Sequence, residues 1–324
     1  MAREGSNSCD KRTVMHPKAS FIVPTYNRAE ILSVSLPLLL AQDMPAEAFE
    51  VIVVSDGVDP KVDQVIKTKG DAPNLRYAAL PEQQGPGAAR NKAISLARGD
   101  VLVFVDDDSL VDSGFLARHL AHHQAHGQSG RDVVVTGPII DVSDVPDFAN
   151  PPKPGLFSRH TNPFPTGNAS VLRARVVKVG GFDENFRFYG WEDPELFARL
   201  NQPKLLPVFE KNAPIYHYHP HQHAMDLAAR LQRETHRGRN GAVFYHKHPT
   251  LSVALQTKQH WFYRGLDYLL NRLLQLDKKQ SSVMQGGWQP SSKLIAELLI
   301  HHAEITAGRA KLTELRAKGV SRNT

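Results

Sequence analysis

Four short apolar runs, separated by segments of helical pattern, fill the first third of the chain and limit its fold most strongly. The runs cover residues 19–23, 50–55, 75–80 and 101–105. A strand that is apolar at consecutive positions, rather than at every second one, is buried on both faces. We therefore predict an α/β fold, in which a mostly parallel sheet is flanked by helices.

The segments between the runs predict helices over residues 29–41, 60–69 and 86–98. Pro37 lies inside the first of these and is expected to interrupt it. One further strand is predicted over residues 133–140, where the regular alternation ends.

The remainder of the chain divides by composition. Residues 142–165 are rich in Pro, Asp and Asn and predict a long loop, of the kind that often forms a lid. From residue 225 the pattern is mostly helical. We expect a disordered leader over residues 1–17, an α/β domain over residues 18–224 and a helical, basic extension over residues 225–324.

The charge of the chain is unevenly distributed. Residues 225–324 hold 16 Lys or Arg and 7 Asp or Glu, whereas the whole chain has a formal net charge of +6. Such an extension predicts contact with anions, and a solvated helical surface is the alternative. It has few aromatic residues beside its basic ones, so nucleic-acid binding is not expected.

Targeting features are few. The single cysteine, Cys9, excludes a disulfide within the chain, and the first twenty residues hold no apolar run. These features predict a cytoplasmic protein. Peripheral docking of residues 225–324 on the inner face of a membrane remains open.

Polar residues follow three of the predicted strands. They are Thr25-Tyr26-Asn27 after the first, Asp56-Gly57 after the second and Asp106-Asp107-Asp108 after the fourth. Ligands of open parallel sheets bind beyond the carboxyl ends of the strands. We therefore expect these side chains to share one cleft.

The aspartate triplet predicts a cation site, because adjacent carboxylates repel one another unless a positive charge is near. On an extended chain Asp106 and Asp108 point to the same side, so both can reach one ion or its bound diphosphate. Oxygen ligands favour Mg²⁺ or Mn²⁺. A solvated acidic turn or a helix N-cap is the alternative. For Asp56, a contact to a base or ribose competes with an ordinary Asp-Gly turn.

A glycine loop precedes the third predicted helix. Gly85-Pro86-Gly87 resembles a phosphate-cradling loop, but Arg90 stands where the dinucleotide fingerprint has its third glycine. Binding of a nicotinamide cofactor is therefore not predicted. Arg90 and Asn91 can bond a base, ribose or phosphate, and a place on the helix surface is the alternative.

Two later segments carry further candidates. Asp193 precedes Pro194, which suits the first turn of a helix, so Asp193 is predicted to be an N-cap or a general base. Trp191 is either a platform for a sugar ring or a core residue. His217, His219 and His221 lie on one face of a predicted strand, where one of them can complete a metal site. No cysteine stands near them to indicate a zinc site.

These motifs, in this order, resemble the nucleotide-sugar half of family 2 glycosyltransferases, which have the GT-A fold. The segment from Gly180-Gly181-Phe182-Asp183-Glu184 to Gly190-Trp191-Glu192-Asp193 is similar to the acceptor half that galactosyltransferase relatives share. The resemblance covers about residues 19–220. It implies a nucleotide-sugar half over residues 18–110 and an acceptor half over residues 111–224.

The resemblance also implies roles for single residues. Asp56 would contact the base, Asp108 would ligate a metal and Asp193 would be the catalytic base, with Glu192 binding a sugar. One departure is Ser55-Asp56-Gly57, where many members have two adjacent acids. The other implied donor residues are Pro24, Thr25, Tyr26, Asn27, Arg28, Gly85, Arg90, Asn91, Asp106 and Asp107. The other implied substrate and metal residues are Gly167, Asn168, Trp191, Asp106, His217 and His219.

The expected activity is metal-dependent, inverting transfer of a sugar from a nucleotide-sugar donor, UDP-linked in many members, to an acceptor hydroxyl. Mn²⁺ or Mg²⁺ would be the cofactor. The acceptor would be a glycan, a lipid-linked or a small molecule, in polysaccharide or glycoconjugate synthesis. A non-catalytic sugar-nucleotide-binding scaffold and a nucleotidyltransferase are the alternatives.

Overall fold

The computed structural model describes residues 16–69, 72–155, 162–187, 189–201, 205–220 and 226–320. The main sheet contains, in chain order, β1 (Ala19–Thr25), β2 (Phe49–Ser55), β3 (Leu75–Ala79), β4 (Val101–Val105), β6 (Val133–Thr136), β8 (Asn168–Leu172) and β9 (Leu206–Phe209). A smaller sheet contains β5 (Ser109–Leu110), β7 (Ile139–Val142) and β10 (Ile215–Tyr218).

Helices lie between and after these strands. Those of the α/β part are α1 (Ala29–Leu40), α2 (Pro60–Lys67), α3 (Pro86–Leu96), α4 (Phe115–Gly127), α5 (Arg173–Lys178) and α6 (Glu192–Leu200). Those that follow are α7 (Leu227–Lys247), α8 (Leu251–Gln256), α9 (Trp261–Leu274), α10 (Leu276–Met284) and α11 (Lys293–Ala317). Among the described residues no helix is long and apolar enough to cross a bilayer.

The main sheet has the order β3-β2-β1-β4-β8-β6-β9. Its first four strands are parallel, as predicted, whereas β8 runs antiparallel to both neighbours. Side chains from alternate positions enter two separate cores. Ile22 and Phe104 pack on one face, and Phe21 and Val103 on the other. Burial of both faces explains the continuous apolar runs.

Three boundaries differ from the prediction. β1 continues through Pro24 to Thr25, because its ladder with β4 ends at Ile22 and the missing N–H of Pro24 breaks no bond there. α1 also continues through Pro37, held by the buried Leu36 and Leu39 on either side.

The predicted strand over residues 133–140 is two strands, β6 and β7, which belong to different sheets. The chain passes from one to the other at Gly137, where an added Cβ would lie 2.1 Å from the Ala213 carbonyl oxygen. The predicted loop over residues 142–165 holds no helix or strand in its described parts beyond the end of β7. Residues 156–161 of it, and residues 1–15 of the predicted leader over residues 1–17, lie outside the described residues.

The helical extension packs against the α/β part through α7. The rings of Trp191 and Phe244 lie 6.0 Å apart, and His248 Nε2 lies 3.1 Å from Glu195 Oε1. α7 also lies against α11, and an added Cβ on Gly238 would meet the Glu304 carbonyl oxygen at 2.0 Å. This close approach fixes the position of α7 relative to the last helix.

Candidate active site

A cleft of about 1290 Å³ opens at the carboxyl ends of the parallel strands. Its floor contains Thr25 at the end of β1, Asp56 after β2 and the three aspartates after β4. The first turn of α6 and one side of α7 form its walls. The polar strand ends therefore share one cleft, as expected, with the exception of Asn27.

The aspartate triplet forms a tight turn. The Ser109 N–H donates to the Asp106 carbonyl oxygen at 3.1 Å, and the Ser109 hydroxyl accepts from the Asp106 N–H at 3.1 Å. The expectation of an extended chain is therefore wrong, because the turn directs Asp106 to Arg90, while Asp107 and Asp108 both pair with Arg28. Asp106 pairs with Arg90 at 2.9 Å, and Asp107 with Arg28 at 2.9 Å.

The two inner aspartates, Asp107 and Asp108, have pKa values shifted in opposite directions. Burial and the charge of Asp108 raise the pKa of Asp107 to about 7, against the opposing charge of Arg28. Burial would also raise the pKa of Asp108, but bonds and charges from His217 and Arg28 hold it below its ordinary value. Asp108 is therefore the carboxylate that remains charged at neutral pH.

Asp108, His217 and His219 form the group that can hold a metal ion, with ligand atoms all within 4.8 Å of one another. His217 Nε2 lies 3.0 Å from Asp108 Oδ1, and His219 Nε2 lies 3.0 Å from His217 Nδ1. β10 carries His217 beside β5, which directly follows the aspartate turn. His217 also lies 3.2 Å from Asp141, and His221 lies outside the described residues. One carboxylate and two imidazoles fit a divalent transition metal.

Asp56 stabilises the glycine loop. Its carboxylate accepts from the backbone N–H of Gln84 at 2.7 Å and of Gly85 at 2.9 Å. Gly85 has a φ of 101°, and an added Cβ would meet the Arg187 carbonyl oxygen at 2.6 Å. Only glycine suits such a position. Helix α3 begins directly after this loop and carries Arg90, which lines the cleft.

Arg90 joins the two halves of the site. Its side chain is buried, and its ion pair with Asp106 leaves Nε and Nη1 without a hydrogen-bond partner among the described residues. Burial would lower the pKa of Arg90, but the charges of Asp106, Asp193 and Glu192 raise it. A buried cation with free N–H groups suits an anionic or hydroxyl-bearing ligand.

The first turn of α6 presents two acids to the cleft. Gly190 and Trp191 have φ values of 100° and 75°, and this sharp bend starts the helix at Glu192. The prediction of Asp193 as N-cap is therefore wrong, because Trp191 occupies that place. Asp193 instead accepts from the Thr166 N–H at 3.1 Å and from the Thr166 hydroxyl at 2.8 Å.

The two acids of α6 influence each other. Burial, with the charge of Asp193, raises the pKa of Glu192. Burial also raises the pKa of Asp193, whereas Arg90 and the bonds from Thr166 oppose the rise. A carboxylate with a raised pKa that still ionises is suited to accept a proton.

Five of the predicted site residues do not line the cleft. The Asn91 amide bonds to the Phe182 backbone and to Glu184, and the Asn168 amide donates to two carbonyl oxygens at 2.9 Å each. Both amides are thus used to hold the structure together. The others are Asn27, Gly85 and His219.

Helix α7 contributes side chains to the cleft that were not predicted from the sequence. Arg233 lies 3.9 Å above the ring of Tyr189, and Arg237 lies 5.1 Å above the ring of Trp191. Both line the cleft, together with Thr166 and Asp141. The four-residue spacing of these arginines on a predicted helix was visible in the sequence, but the rings beneath them were not.

The sequence profile of glycosyl transferase family 2 matches residues 20–182, just over half of the chain. The chain belongs to glycosyl transferase family 2. A second profile, the N-terminal domain of galactosyltransferase, matches residues 156–223 of this family 2 chain. The predicted resemblance to this family is therefore confirmed.

One curated relative is validoxylamine A glucosyltransferase of Streptomyces hygroscopicus subsp. jinggangensis. It is 29% identical over 269 residues, which cover 72% of this family 2 chain and 62% of the relative. An uncharacterized glycosyltransferase of Bacillus subtilis, YfnE, is 28% identical, and 61% of its length is covered. The chain thus spans less than two thirds of these relatives.

Two solved structures show the fold. S. aureus TarS 1–349 is 21% identical, with a TM-score of 0.55, and covers 93% of this chain and 92% of that one. The mannosyltransferase PcManGT from Pyrobaculum calidifontis is 18% identical, with a TM-score of 0.58, over 92% and 87% of the two chains. The family 2 chain has the GT-A fold with a helical C-terminal extension, as predicted.

Proposed function

We propose that this protein transfers a sugar from a nucleotide-sugar donor to an acceptor hydroxyl. The observation that carries the proposal is the placement of Asp193 and the aspartate turn in one cleft, joined through Arg90. Transfer needs a base for the acceptor and a positive environment for the leaving diphosphate. The cleft brings both together on rigid elements.

The donor would lie over the strand ends. Thr25, Tyr26, Arg28 and Asp56 line that part of the cleft, which suits a base and ribose. A uracil base is proposed from the family resemblance. The solved TarS structures include complexes with UDP and UDP-GlcNAc, whereas PcManGT was solved with GDP-Man and Mn²⁺.

Asp108, His217 and His219 would hold the divalent metal. Two imidazoles in the set favour Mn²⁺ over Mg²⁺, which prefers oxygen ligands. Such an ion neutralises a diphosphate and makes it a better leaving group. Asp106 pairs with Arg90 and stands outside this set, so we place it toward the ribose or the sugar.

The chemical step would be one in-line displacement with inversion. Asp193 accepts the proton of the acceptor hydroxyl as that oxygen attacks the anomeric carbon, and the bond to the diphosphate breaks. Thr166 orients the Asp193 carboxylate through two bonds. Arg90 provides positive charge between the sugar and the leaving group. Glu192, beside Asp193, is placed to hold a sugar hydroxyl.

The acceptor would approach from α7. Arg233 and Arg237 cover the rings of Tyr189 and Trp191 on that wall, so the extension completes the cleft. In this proposal residues 18–110 bind the donor, residues 111–224 carry the base and residues 225–324 shape the acceptor entrance.

A donor panel with Mn²⁺ tests the proposal. The full chain is incubated with nucleotide sugars, and the released nucleoside diphosphate is measured with and without chelator. Metal-dependent release, even by slow hydrolysis, supports a transferase. Donor binding without release would instead support a non-catalytic scaffold. Pyrophosphate release from a nucleoside triphosphate would support a nucleotidyltransferase.

A further inference from the structure

Helix α9 exposes a wide apolar face. The exposed fractions are 74% for Trp261, 53% for Phe262, 59% for Tyr268, 57% for Leu269 and 78% for Leu273. At the 100° per residue of an α-helix, these side chains spread over about 140° of the circumference. Single exposed apolar residues are ordinary on proteins, but a contiguous face of this width marks an interaction surface.

The opposite side of α9 is fixed to the rest of the extension. Asp267 is buried and lies 2.8 Å from His302 Nδ1 on α11. The helix therefore cannot rotate to bury its apolar face without breaking a buried ion pair. The exposed face is a stable property of the fold.

The charge around this face is positive. Residues 258–294 hold six Lys or Arg and two Asp. Both aspartates are already paired, since Asp267 and Asp277 each lie within 3.0 Å of His302. Arg272, inside the apolar face, and Lys278, just beyond α9, are both exposed. An apolar band with basic residues and no free acid is typical of helices that lie in the interface of an anionic bilayer.

A second copy of the chain fits this face less well. A two-fold contact through α9 would place the same surface on both sides. Arg272 lies within the apolar face, so such a contact would bring like charges together without an acid to separate them. An anionic lipid surface attracts Arg272 and so causes no such repulsion.

The short helix before α9 joins this face to the cleft. Val253 and Gln256 of α8 line the cleft, whereas Leu251 and Leu255 of the same helix are 65% and 42% exposed. We propose that α9, with these leucines of α8, docks the protein on an anionic lipid surface. The docking does not depend on the proposed chemistry.

Vesicle flotation tests this docking with the full chain. We expect the protein to float with vesicles of phosphatidylcholine and phosphatidylglycerol, and much less with phosphatidylcholine alone. The double substitution Leu269→Glu/Leu273→Glu should reduce the bound fraction at least about tenfold, because two charges replace buried apolar contact. Val177→Glu is the matched control, since Val177 is a 53% exposed apolar residue on α5. It should leave binding unchanged.

Tryptophan fluorescence tests the same face without a disruptive substitution. The anionic vesicles should shift the emission to the blue in the parent and in Trp288→Phe, and not in Trp261→Phe. Equal binding to both vesicle types, or binding that the double substitution does not reduce, would overturn the proposal. A dimer that the double substitution dissociates, with no lipid binding, would assign the face to a second copy.

Discussion

At the scale of single residues, Asp193 is the side chain whose chemistry can be isolated most cleanly. Its two oxygens accept from one residue, Thr166, so an amide of the same shape retains part of this anchoring. We expect Asp193→Asn to bind donor normally and to lose transfer by about 10²–10⁴-fold, because the base is removed. Donor affinity by calorimetry and kcat from product release provide the two readouts.

The control for this substitution is Glu47→Gln, which removes an exposed carboxylate just before β2, at the end of that strand opposite the cleft. It should leave both readouts unchanged. A kcat for Asp193→Asn near that of the parent would show that another group takes the proton.

The metal group makes a separate prediction. Mn²⁺ that binds only the folded protein raises its Tm. His217→Ala and His219→Ala should each lose most of this manganese-dependent rise, because each removes one of the three proposed ligands. His16→Ala, at an exposed position, is the control. Thermal shifts with and without Mn²⁺ make the measurement, and an unchanged rise in both variants would place the metal elsewhere.

The sequence predicted the residues at the strand ends better than those of the loops. Thr25, Asp56 and Asp108 line the cleft because parallel strands must end at a common edge. The roles of Asn91 and Asn168 could not be predicted in this way. The partners of the Asn91 amide lie 91 and 93 positions away, and no local pattern shows which carbonyl oxygen a distant loop will bring.

At the scale of elements, the contact of α7 with α11 depends on two glycines. An added Cβ on Gly238 would lie 2.0 Å from the Glu304 carbonyl oxygen, and one on Gly308 would lie 2.8 Å from the Gly238 oxygen. We expect Gly238→Ala to lower the free energy of unfolding by about 1–3 kcal/mol, because the helices must separate. Urea unfolding measures the change.

Gly265 provides the matched control for this substitution. It lies inside α9, and an added Cβ there meets nothing within 4 Å. Gly265→Ala should therefore raise stability by roughly 0.5–1 kcal/mol through helix propensity alone. Equal effects of the two substitutions would show that the contact between α7 and α11 is looser than described.

His302 predicts a dependence of stability on pH. Burial would lower its pKa, but Asp267 and Asp277 raise it above its ordinary value. The pairing therefore stabilises the fold fully below about pH 6.5, and this contribution is lost as pH rises through the raised pKa. Urea unfolding between neutral and alkaline pH should show the decline in the free energy of unfolding. The decline should be smaller in His302→Gln.

Two other buried histidines do not interfere with that measurement. Burial lowers the pKa of His119 to about 3 and that of His123 to about 4. They remain neutral in the folded protein, so they reduce stability only as pH falls below about 6.5. His217 does contribute in this range: burial would lower its pKa, but Asp108 raises it to about 9, so its pairing is also lost at alkaline pH. A decline as large in His302→Gln as in the parent would therefore exclude His302 as a source.

The elements show where sequence reasoning succeeds. Strands β1, β2 and β4 were predicted because each is largely apolar at consecutive positions and buried on both faces, whereas β3 is half-buried and contains Arg76. The small sheet was not predicted, since β5 has two residues and β7 and β10 have four each. Segments this short carry too little periodicity to separate a strand from a loop.

At the scale of the whole molecule, the cleft depends on the helical extension. Arg233 and Arg237 reach into it from α7, and we expect Arg233→Ala/Arg237→Ala to raise KM for the acceptor about tenfold or more, with a smaller change for the donor. Arg239→Ala is the control, because Arg239 is absent from the cleft lining and lies 4.0 Å from Glu314. Steady-state kinetics with each substrate varied separate the two constants, and equal changes in both would contradict an acceptor role.

The pattern of the extension predicted that it is helical. It did not predict where its helices pack against the α/β part. Helical spacing of Leu and Ile predicts an amphipathic helix without naming what it packs against. The contacts of His248 with Glu195 and of Phe244 with Trp191, which dock α7 beside the first turn of α6, join segments more than fifty positions apart.

The approach of Gly238 to the backbone of α11 also bears on how the protein is made. The sheet can assemble once β10 has left the ribosome, whereas α7 gains its contact with α11 only after α11 has been synthesised. Between these two moments the strand ends that form the floor of the cleft are in place, but the wall formed by α7 is not yet held by α11. The last wall of the cleft is therefore completed late in translation.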